Sequence, residues 1–241
     1  MSGTSHVGGI VGYSYRRYRT DKPIEEDYND EEYAYIKDCS IDKSSLVKAT
    51  GNYVGGICGT NYGSVIIGCV NHADVTGKSI VGGIAGQSRD YWNNVDAYVI
   101  ACGASFDATI TATDGNAGGI VGETFKDNNH QNTKSYFLAC YSQAQVSGNK
   151  MGSMFGQSVN GSIYASYVIK NNATKYSGDG KTISRYGAEH YASVSEINQE
   201  AVNEMNAYIT EFNQSQPDGM RCNYQWSWTE GSWPVLVATQ E

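Results

Sequence analysis

One short glycine-rich phrase recurs along this chain, and it limits the folds that the chain can adopt. Its copies are HVGGIVG at 6–12, NYVGGICG at 52–59, IVGGIAG at 80–86, NAGGIVG at 116–122 and the weaker KMGSMFG at 150–156. A phrase that returns at intervals of tens of residues is typical of a repeat architecture, in which each unit buries its apolar face against the next. We therefore predict a stack of about five similar units.

Two further phrases accompany each glycine phrase in a constant order. A short apolar segment ends at an equivalent small residue, which is Cys39, Cys69, Cys102, Cys140 or Ser166. Three residues before that position stand the apolar side chains Ile36, Ile66, Val99, Phe137 and Ile163. Six to eight residues after the cysteine comes a β-branched residue, which is Val47, Val75, Ile110 or Val146. Each unit therefore contains three short β-rich segments.

Short strands separated by Gly, Asn, Asp and Thr predict one coil of an all-β, β-helix-like β-solenoid. Stacked strands lie about 4.8 Å apart, so a residue type recurs because it meets its own kind in the next coil. The expected interior ladders are the cysteines with Ser166 and the apolar row Ile10, Ile57, Ile84, Ile120 and Met154. Glycines are expected at corners where the backbone has a positive φ or passes close to its neighbour.

A β-propeller or a β-sandwich is the alternative fold. Propeller blades repeat roughly every 40 to 50 residues. The leading glycines here, at 8, 55, 82, 118 and 152, are 47, 27, 36 and 34 residues apart. Unequal spacing between similar phrases indicates segments inserted at one corner, which a solenoid accommodates, so the solenoid is favoured.

The C-terminal part has a different pattern, which divides the chain into solenoid repeats at 1–169 and a closing region at 170–241. Residues 170–192 are rich in Asn, Gly, Lys and Tyr and are predicted to be a connection. Ser193 and Glu196 have capping-box spacing, and a helix is predicted from the apolar residues Ile197, Val202, Met205, Ile209 and Phe212. Alternation at Cys222, Tyr224, Trp226 and Trp228 predicts a half-buried strand paired with 232–237. We expect this small α+β unit to cap the open end of the stack.

The ordered GGIxG phrases, with the cysteine and valine segments between them, resemble the GLUG-motif repeats of bacterial surface proteins and large adhesins. The resemblance covers about residues 7–169, and the phrase Trp233-Pro234-Val235-Leu236 resembles the closing segment of such proteins. It implies a β-solenoid displayed outside the cell, with no catalytic role. The fifth copy, GSMFG, departs from the pattern.

The six cysteines have three possible roles. No CxxC or CxH pair exists, which argues against a zinc site. Stacked cysteines would meet the Cα separation that a disulfide needs, roughly 4.4–6.8 Å, but their parallel side chains suit its dihedral angle badly. Buried free thiols are favoured because Ser166 replaces a cysteine without leaving an obvious partner unpaired.

Composition and motifs exclude several function classes. The net charge of −8 disfavours nucleic-acid binding, and no apolar run is long enough for a membrane span. The start of the chain lacks the basic and apolar regions of a signal peptide, so we expect a segment of a longer exported protein. No cofactor or catalytic motif is present, and the acidic cluster within 25–32 is a solvated charge run or a weak calcium site. A carbohydrate-active solenoid enzyme, a polysaccharide lyase or hydrolase, stays as the alternative and would need carboxylates on adjacent coils.

The segments between each GGIxG phrase and the next cysteine vary in length and leave the same corner of every coil. They should therefore line one edge of the stack, as insertions at a binding face do in repeat proteins. They carry Tyr, Trp and Arg, the residue types enriched at recognition sites, and the candidate ligand-binding residues are Tyr15, Arg16, Tyr18, Tyr91 and Trp92. The expectation is a non-catalytic extracellular or cell-surface module, adhesive or spacer, that binds a host or bacterial surface protein or a glycan. The alternative role for these rings is to shield the strand edge.

Overall fold

The computed structural model describes residues 1–15, 34–89, 96–126, 134–169, 175–179, 184–186, 189–191, 197–216, 218 and 221–239. Of the candidate binding residues, only Tyr15 falls in these ranges. Arg16, Tyr18, Tyr91 and Trp92, and the acidic cluster within 25–32, lie outside them.

Each of the five coils contains five strands. The first coil contains β1 (Ser2–Gly3), β2 (Val7–Gly8), β3 (Val11–Tyr15), β4 (Tyr35–Lys37) and β5 (Ser40–Ile41). The second contains β6 (Leu46–Ala49), β7 (Asn52–Gly55), β8 (Cys58–Tyr62), β9 (Val65–Ile67) and β10 (Val70–Asn71). The third contains β11 (Asp74–Gly77), β12 (Ser79–Gly82), β13 (Ala85–Arg89), β14 (Ala97–Ile100) and β15 (Gly103–Ala104).

The remaining strands complete the stack and then form a separate hairpin. The fourth coil contains β16 (Thr109–Ala112), β17 (Asn116–Gly118), β18 (Val121–Phe125), β19 (Ser135–Leu138) and β20 (Tyr141–Ser142). The fifth contains β21 (Gln145–Ser147), β22 (Lys150–Gly152), β23 (Phe155–Ser158), β24 (Gly161–Tyr164) and β25 (Tyr167–Ile169). Then follow β26 (Ser184–Tyr186), β27 (Glu189–Tyr191), α1 (Gln199–Ser215), β28 (Tyr224–Ser227) and β29 (Val235–Ala238).

Strands at the same position of successive coils pair in parallel, which gives five sheets that run along the stack. We number these sheets 1 to 5 by strand position within the coil. Sheet 1, for example, has the order β1-β6-β11-β16-β21, and sheet 3 consists of β3, β8, β13, β18 and β23. The predicted β-solenoid is therefore confirmed. The three expected segments per coil are five strands, because the glycine phrase and the cysteine segment are each divided by a bend, whereas the valine segment is one strand.

The predicted interior ladders are present. Val75 pairs with Val47 and with Ile110, and Phe137 pairs with Val99 and with Ile163, all of them buried. The corner isoleucines also follow one another through main-chain hydrogen bonds, but Ile10, in the first coil, is 43% exposed.

Close backbone approach, rather than positive φ, explains the paired glycines. A Cβ built on Gly82 would overlap the carbonyl oxygen of Ala85 and lie 2.6 Å from the Gly122 nitrogen. Neither glycine of the Gly82-Gly83 pair has a positive φ. The bend between sheets 2 and 3 brings successive coils into backbone contact, and a side chain has no space there.

The cysteine ladder occupies another corner, between sheets 4 and 5. Each thiol donates a hydrogen bond to the carbonyl oxygen two residues before it, as in Cys102 Sγ to Ile100 O at 3.2 Å, and Ser166 Oγ does the same to Tyr164 O at 3.0 Å. The residue before each ladder position has a positive φ, a set that consists of Asp38, Gly68, Ala101, Ala139 and Ala165. All six cysteines are free thiols, as favoured from the sequence.

A partial sixth coil extends the stack beyond the fifth. β26 pairs with β24 and β27 pairs with β25. Ser177 also bridges Phe155, and the Met154 nitrogen donates to the carbonyl oxygen of Tyr176 at 3.1 Å. These elements lie in the interval that the sequence assigned to a connection. At the position of the glycine phrase this coil has Tyr176-Ser177-Gly178, which lacks the GGIxG pattern.

The C-terminal unit packs along the side of the solenoid, so the prediction that it caps the open end is wrong. We call α1 with the β28–β29 hairpin the lateral tail. A second hydrophobic core joins this tail to the outer faces of sheets 4 and 5, and it includes Ile67, Ile100 and Ala139 from three coils. In the second and third coils the strands of sheet 4 are thus buried on both faces, which accounts for the apolar sequences Val65-Ile66-Ile67 of β9 and Val99-Ile100 of β14.

The helix of the lateral tail begins later than predicted but buries the predicted face. Its N-cap is Asn198, whose side chain accepts a hydrogen bond from the Ala201 nitrogen, instead of Ser193. The predicted side chains Ile197, Val202, Met205, Ile209 and Phe212 are all buried. No helix among the described residues has the length and apolarity needed to cross a bilayer.

Two asparagines of α1 hold β28 and the residues just before it. Asn206 accepts from the Trp226 nitrogen at 2.8 Å and donates to its carbonyl oxygen at 2.8 Å. Asn213 forms the equivalent pair with Cys222, at 2.8 and 2.9 Å. Each amide thus satisfies two backbone groups of a strand edge that would otherwise lack partners.

Candidate functional site

The strands of sheet 3 all end at the corner from which the variable segments leave. Their last paired residues are Tyr15, Tyr62, Arg89 and Phe125, which stand in one register across four coils. After the variable segments, the first residues of the sheet 4 strands are again in register from coil to coil. The variable segments between these strands lie mostly outside the described residues. The described residues at this corner form a row of three rings and one guanidinium.

A cation lies between two rings in this row. The Arg89 guanidinium carbon is 4.6 Å from the centroid of the Tyr62 ring and 4.7 Å from that of Phe125. Each such contact contributes about 0.5–2 kcal/mol, depending on how far water is excluded. Arg89 Nε is buried without a hydrogen-bond partner among the described residues.

Tyrosines and a histidine extend the row toward the first coil. The Tyr13 ring is 6.0 Å from Tyr15 and 6.2 Å from Tyr62, and its edge meets His6 at 5.3 Å. His6 also stacks on Tyr53 at 4.7 Å. Tyr13 and Tyr15 are 43% and 52% exposed. We call these seven side chains the aromatic–arginine ridge, and they are His6, Tyr13, Tyr15, Tyr53, Tyr62, Arg89 and Phe125.

The surroundings of the His6 imidazole favour its neutral form. Its Nδ1 is hydrogen-bonded to Thr60 Oγ1 at 2.9 Å, and burial lowers its pKa. The ridge therefore carries one fixed positive charge, at Arg89, within a surface of aromatic rings. Such a surface can stack on planar or apolar faces and can attract an acceptor-rich group.

One carboxylate lies on the same face of sheet 3 as the ridge. Glu123 is two residues before Phe125 and pairs in register with Gln87 and Gln157. Gln87 Nε2 donates to Glu123 Oε2 at 3.0 Å. Burial raises the pKa of Glu123, and this outweighs the opposing effects of the Gln87 hydrogen bond and of the charges on Arg89 and Lys150.

Glu123→Gln is expected to stabilise the protein at neutral pH. The folded pKa is raised, so the native state binds the proton more tightly, and the carboxylate lowers stability once the pH exceeds its unfolded pKa. The gain should therefore be largest above the folded pKa and should vanish as the pH falls below the unfolded value. Thermal unfolding followed from pH 3 to pH 8 tests this. Glu211→Gln, the same change at an exposed helical position, should produce little shift, and an equal gain from both variants would contradict the assignment.

No described strand pairing places carboxylates on adjacent coils. Asp74, for example, is in register with Leu46 and, on the other side, with Thr109. Of the described residues, no group of three or more His, Cys, Asp or Glu is arranged to hold a metal ion. Cys39 is half-buried, the other five thiols are buried, and burial raises the pKa of Cys58 and of Cys140 to about 12.

Sequence reasoning found part of the ridge and missed part of it. Tyr15 was singled out for binding and lies in the ridge, whereas Tyr53, Tyr62 and His6 were not connected with the site. A positional signal was available, because Tyr15, Tyr62, Arg89 and Phe125 each follow the last glycine of GGIxG by three residues. His6 and Tyr53 precede their Gly-Gly pairs by two residues, and both have a positive φ.

Comparisons with known proteins give a fold but no family. No protein-family profile matches the chain, and no curated protein matches it. Among solved structures, the chain is similar to the crystal structure of a putative immunoglobulin A1 protease from Bacteroides ovatus, with a TM-score of 0.58 and 19% sequence identity. The match covers 97% of this chain and 64% of that one, so the chain spans less than two thirds of its neighbour. At this identity the likeness shows that the two proteins share a fold.

Proposed function

We propose that this chain is a non-catalytic binding module of a secreted bacterial protein, displayed at the cell surface or outside the cell. It recognises a surface protein or a glycan through the aromatic–arginine ridge and the variable segments that leave the same corner. The observation that carries the proposal is the sandwich of Arg89 between Tyr62 and Phe125. It is an ordered recognition surface of the residue types that dominate binding energy at interfaces.

The proposal includes the relationship suggested by the repeated phrases. The GGIxG copies, each at the same bend of a coil, support membership of the GLUG-type surface repeats. Proteins of that kind act as adhesive or spacer segments. The exposed Tyr13 and Tyr15 favour the adhesive role, because a spacer needs no aromatic surface in contact with water.

A protease is the second candidate, and it rests on the name of the structural neighbour. Among the described residues, buried thiols and the one isolated carboxylate of sheet 3 provide no evident nucleophile or acid–base pair. A carbohydrate-active solenoid enzyme lacks the adjacent carboxylates it would need on the described ladders. Both activities remain outcomes of the experiment below.

The test is a binding screen on glycan arrays and on extracellular proteins, with immunoglobulin A1 included because of the neighbour's name. Tyr62→Ala and Arg89→Ala should each weaken binding by about tenfold or more, which corresponds to at least about 1.4 kcal/mol. Tyr91→Ala and Trp92→Ala extend the test to the adjoining variable segment.

Leu46→Ala is the matched control, since Leu46 is 50% exposed on sheet 1, away from the ridge. Its binding should equal that of the wild type. Cleavage of immunoglobulin A1 or of a glycan on incubation would support an enzyme instead. A ligand that binds all variants equally, or the absence of any ligand, would remove the ridge as the recognition surface.

A further inference from the structure

A cavity of about 410 Å³ lies between sheet 5 and the hairpin of the lateral tail. Its floor is formed by the outward positions of sheet 5, where Ser40, Val70, Gly103 and Tyr141 follow one another in register on successive coils. Gly103 has no side chain, and the Trp226 ring packs over it, so that a Cβ there would lie 3.1 Å from Trp226 Cη2. The volume of the cavity lies within the range of small-molecule sites, roughly 300 to 1,000 Å³. We call this space the tail cavity.

Aromatic rings form a continuous wall of the tail cavity. Phe106, in the turn between β15 and β16, stacks on Trp233 with centroids 5.6 Å apart and an interplanar angle of 19°. Trp233 lies 6.3 Å from Tyr141, which in turn meets Trp226 at 6.1 Å. Phe106 is 48% exposed although it belongs to this stack. Tyr141 and Trp226 are 2% and 4% exposed, so the accessible ring surface belongs to Phe106 and to the half-buried Trp233.

The polar side chains around the cavity are mixed in kind and nearly balanced in charge. His72, Ser105, Asp107 and Gln143 line it together with Ser40. Lys43 Nζ is 3.0 Å from Asp107 Oδ1, so the one carboxylate in the lining has a cationic partner. These groups offer both hydrogen-bond donors and acceptors without a dominant charge.

We propose that the tail cavity binds a neutral pyranose ring, either free or at the end of a glycan. A pyranose has an apolar C–H face that packs on aromatic rings and a rim of hydroxyl groups that need both donors and acceptors. An aliphatic ligand would displace water from the polar lining without replacing its hydrogen bonds. An anionic sugar would find no free cation in the lining, because Lys43 is paired with Asp107. This site is on sheet 5 and the tail, whereas the ridge is on sheet 3, so it does not depend on the function proposed for the ridge.

The experiment titrates the whole chain with methyl glycosides of glucose, galactose, mannose and N-acetylglucosamine. Tryptophan fluorescence and saturation-transfer NMR report the binding, because Trp226 and Trp233 line the cavity. At least one neutral pyranoside should give a saturable change, with a dissociation constant on the order of 1 mM. Cyclohexanol and methyl glucuronide are the apolar and anionic comparison probes, and both should bind more weakly.

Variants then assign the binding to this cavity. Phe106→Ala and His72→Ala should each weaken it by about fivefold or more, and both change side chains outside the buried core. Val159→Ala, an exposed position at the turn between β23 and β24, should leave it unchanged. Binding that is lost in Tyr62→Ala or Arg89→Ala but kept in the cavity variants would assign the sugar to the ridge and overturn this proposal. Tighter binding of cyclohexanol or of the glucuronide, or no saturable change with any pyranoside, would overturn it as well.

Discussion

Gly82→Ala should abolish folding or cost more than about 4 kcal/mol, the range reached by the most disruptive single substitutions. The added Cβ would overlap the carbonyl oxygen of Ala85 and lie 2.6 Å from the Gly122 nitrogen and 2.8 Å from the Cα of Val121. All three atoms belong to the backbone, so rotation of a side chain cannot relieve the clash. The third and fourth coils would have to separate. Urea unfolding followed by circular dichroism measures the loss.

Two other glycines provide controls for this prediction. At Gly148 a Cβ would lie 3.0 Å from the Gly115 carbonyl oxygen and 3.1 Å from the Ala117 Cβ, which small shifts can accommodate. Gly148→Ala should therefore fold, with a change within about 1 kcal/mol. Gly8→Ala repeats the backbone clash in the first coil, where local fraying can absorb it. Equal midpoints for Gly82→Ala and Gly148→Ala would contradict the packing explanation for the glycine phrase.

Trp226→Ala should release the lateral tail from the solenoid, at a cost of about 3–5 kcal/mol. The Trp226 ring is buried against Tyr141, and its Nε1 donates to the carbonyl oxygen of Ala139 at 2.7 Å. Its removal leaves a cavity in the second core and an unpaired carbonyl group. Hydrogen exchange should show lost protection in α1 and β28, while the strands of sheets 1 to 3 stay protected.

Trp228→Ala is the matched control in the same hairpin. Trp228 is half-buried, and its Nε1 donates to the carbonyl oxygen of Ser232 within the hairpin itself. The loss should be less than half of that for Trp226, with the tail still docked. If both substitutions released the tail equally, the anchoring role of Trp226 would be wrong.

The stacking of the coils could be read from the sequence because each interior position repeats the same residue type. Val47, Val75 and Ile110, for example, can be assigned to one ladder if each coil is assumed to lie directly on the one before it. The division into five strands was not visible. Ala101, Ala139 and Ala165 occupy left-handed corners although alanine gives no turn signal. Strands such as Val70–Asn71 are too short to show alternation.

The position of the tail was harder to predict than its elements. The helix face and the aromatic strand followed from periodicity within a few residues. Their docking site depends on the outward residues of sheet 4, such as Ile67 and Ile100, which no feature of the repeated phrases distinguishes from their inward-facing neighbours. Part of sheet 4 is buried on both faces, and an analysis that expects one apolar face per strand does not reveal this.

The two candidate sites differ in how far they could be predicted from the sequence. The ridge follows a fixed offset from a repeated phrase, so Tyr15, Tyr62 and Arg89 can be aligned without coordinates. The tail cavity joins Phe106 to Trp233, which are far apart in the chain and share no motif. Contacts of this kind arise only when the tail folds back, so the structure was needed to find them.

The lateral tail also affects how this solenoid would respond to a tensile load along its axis. Neighbouring coils are joined by short ladders of main-chain hydrogen bonds, which a pull along the stack would open one coil at a time. The tail bridges several coils at once, since Lys37 Nζ in the first coil donates to the Arg221 carbonyl oxygen and Tyr167 in the fifth is hydrogen-bonded to Glu204. Extension of the stack must therefore shear the tail from its side before the coils between those anchors can part.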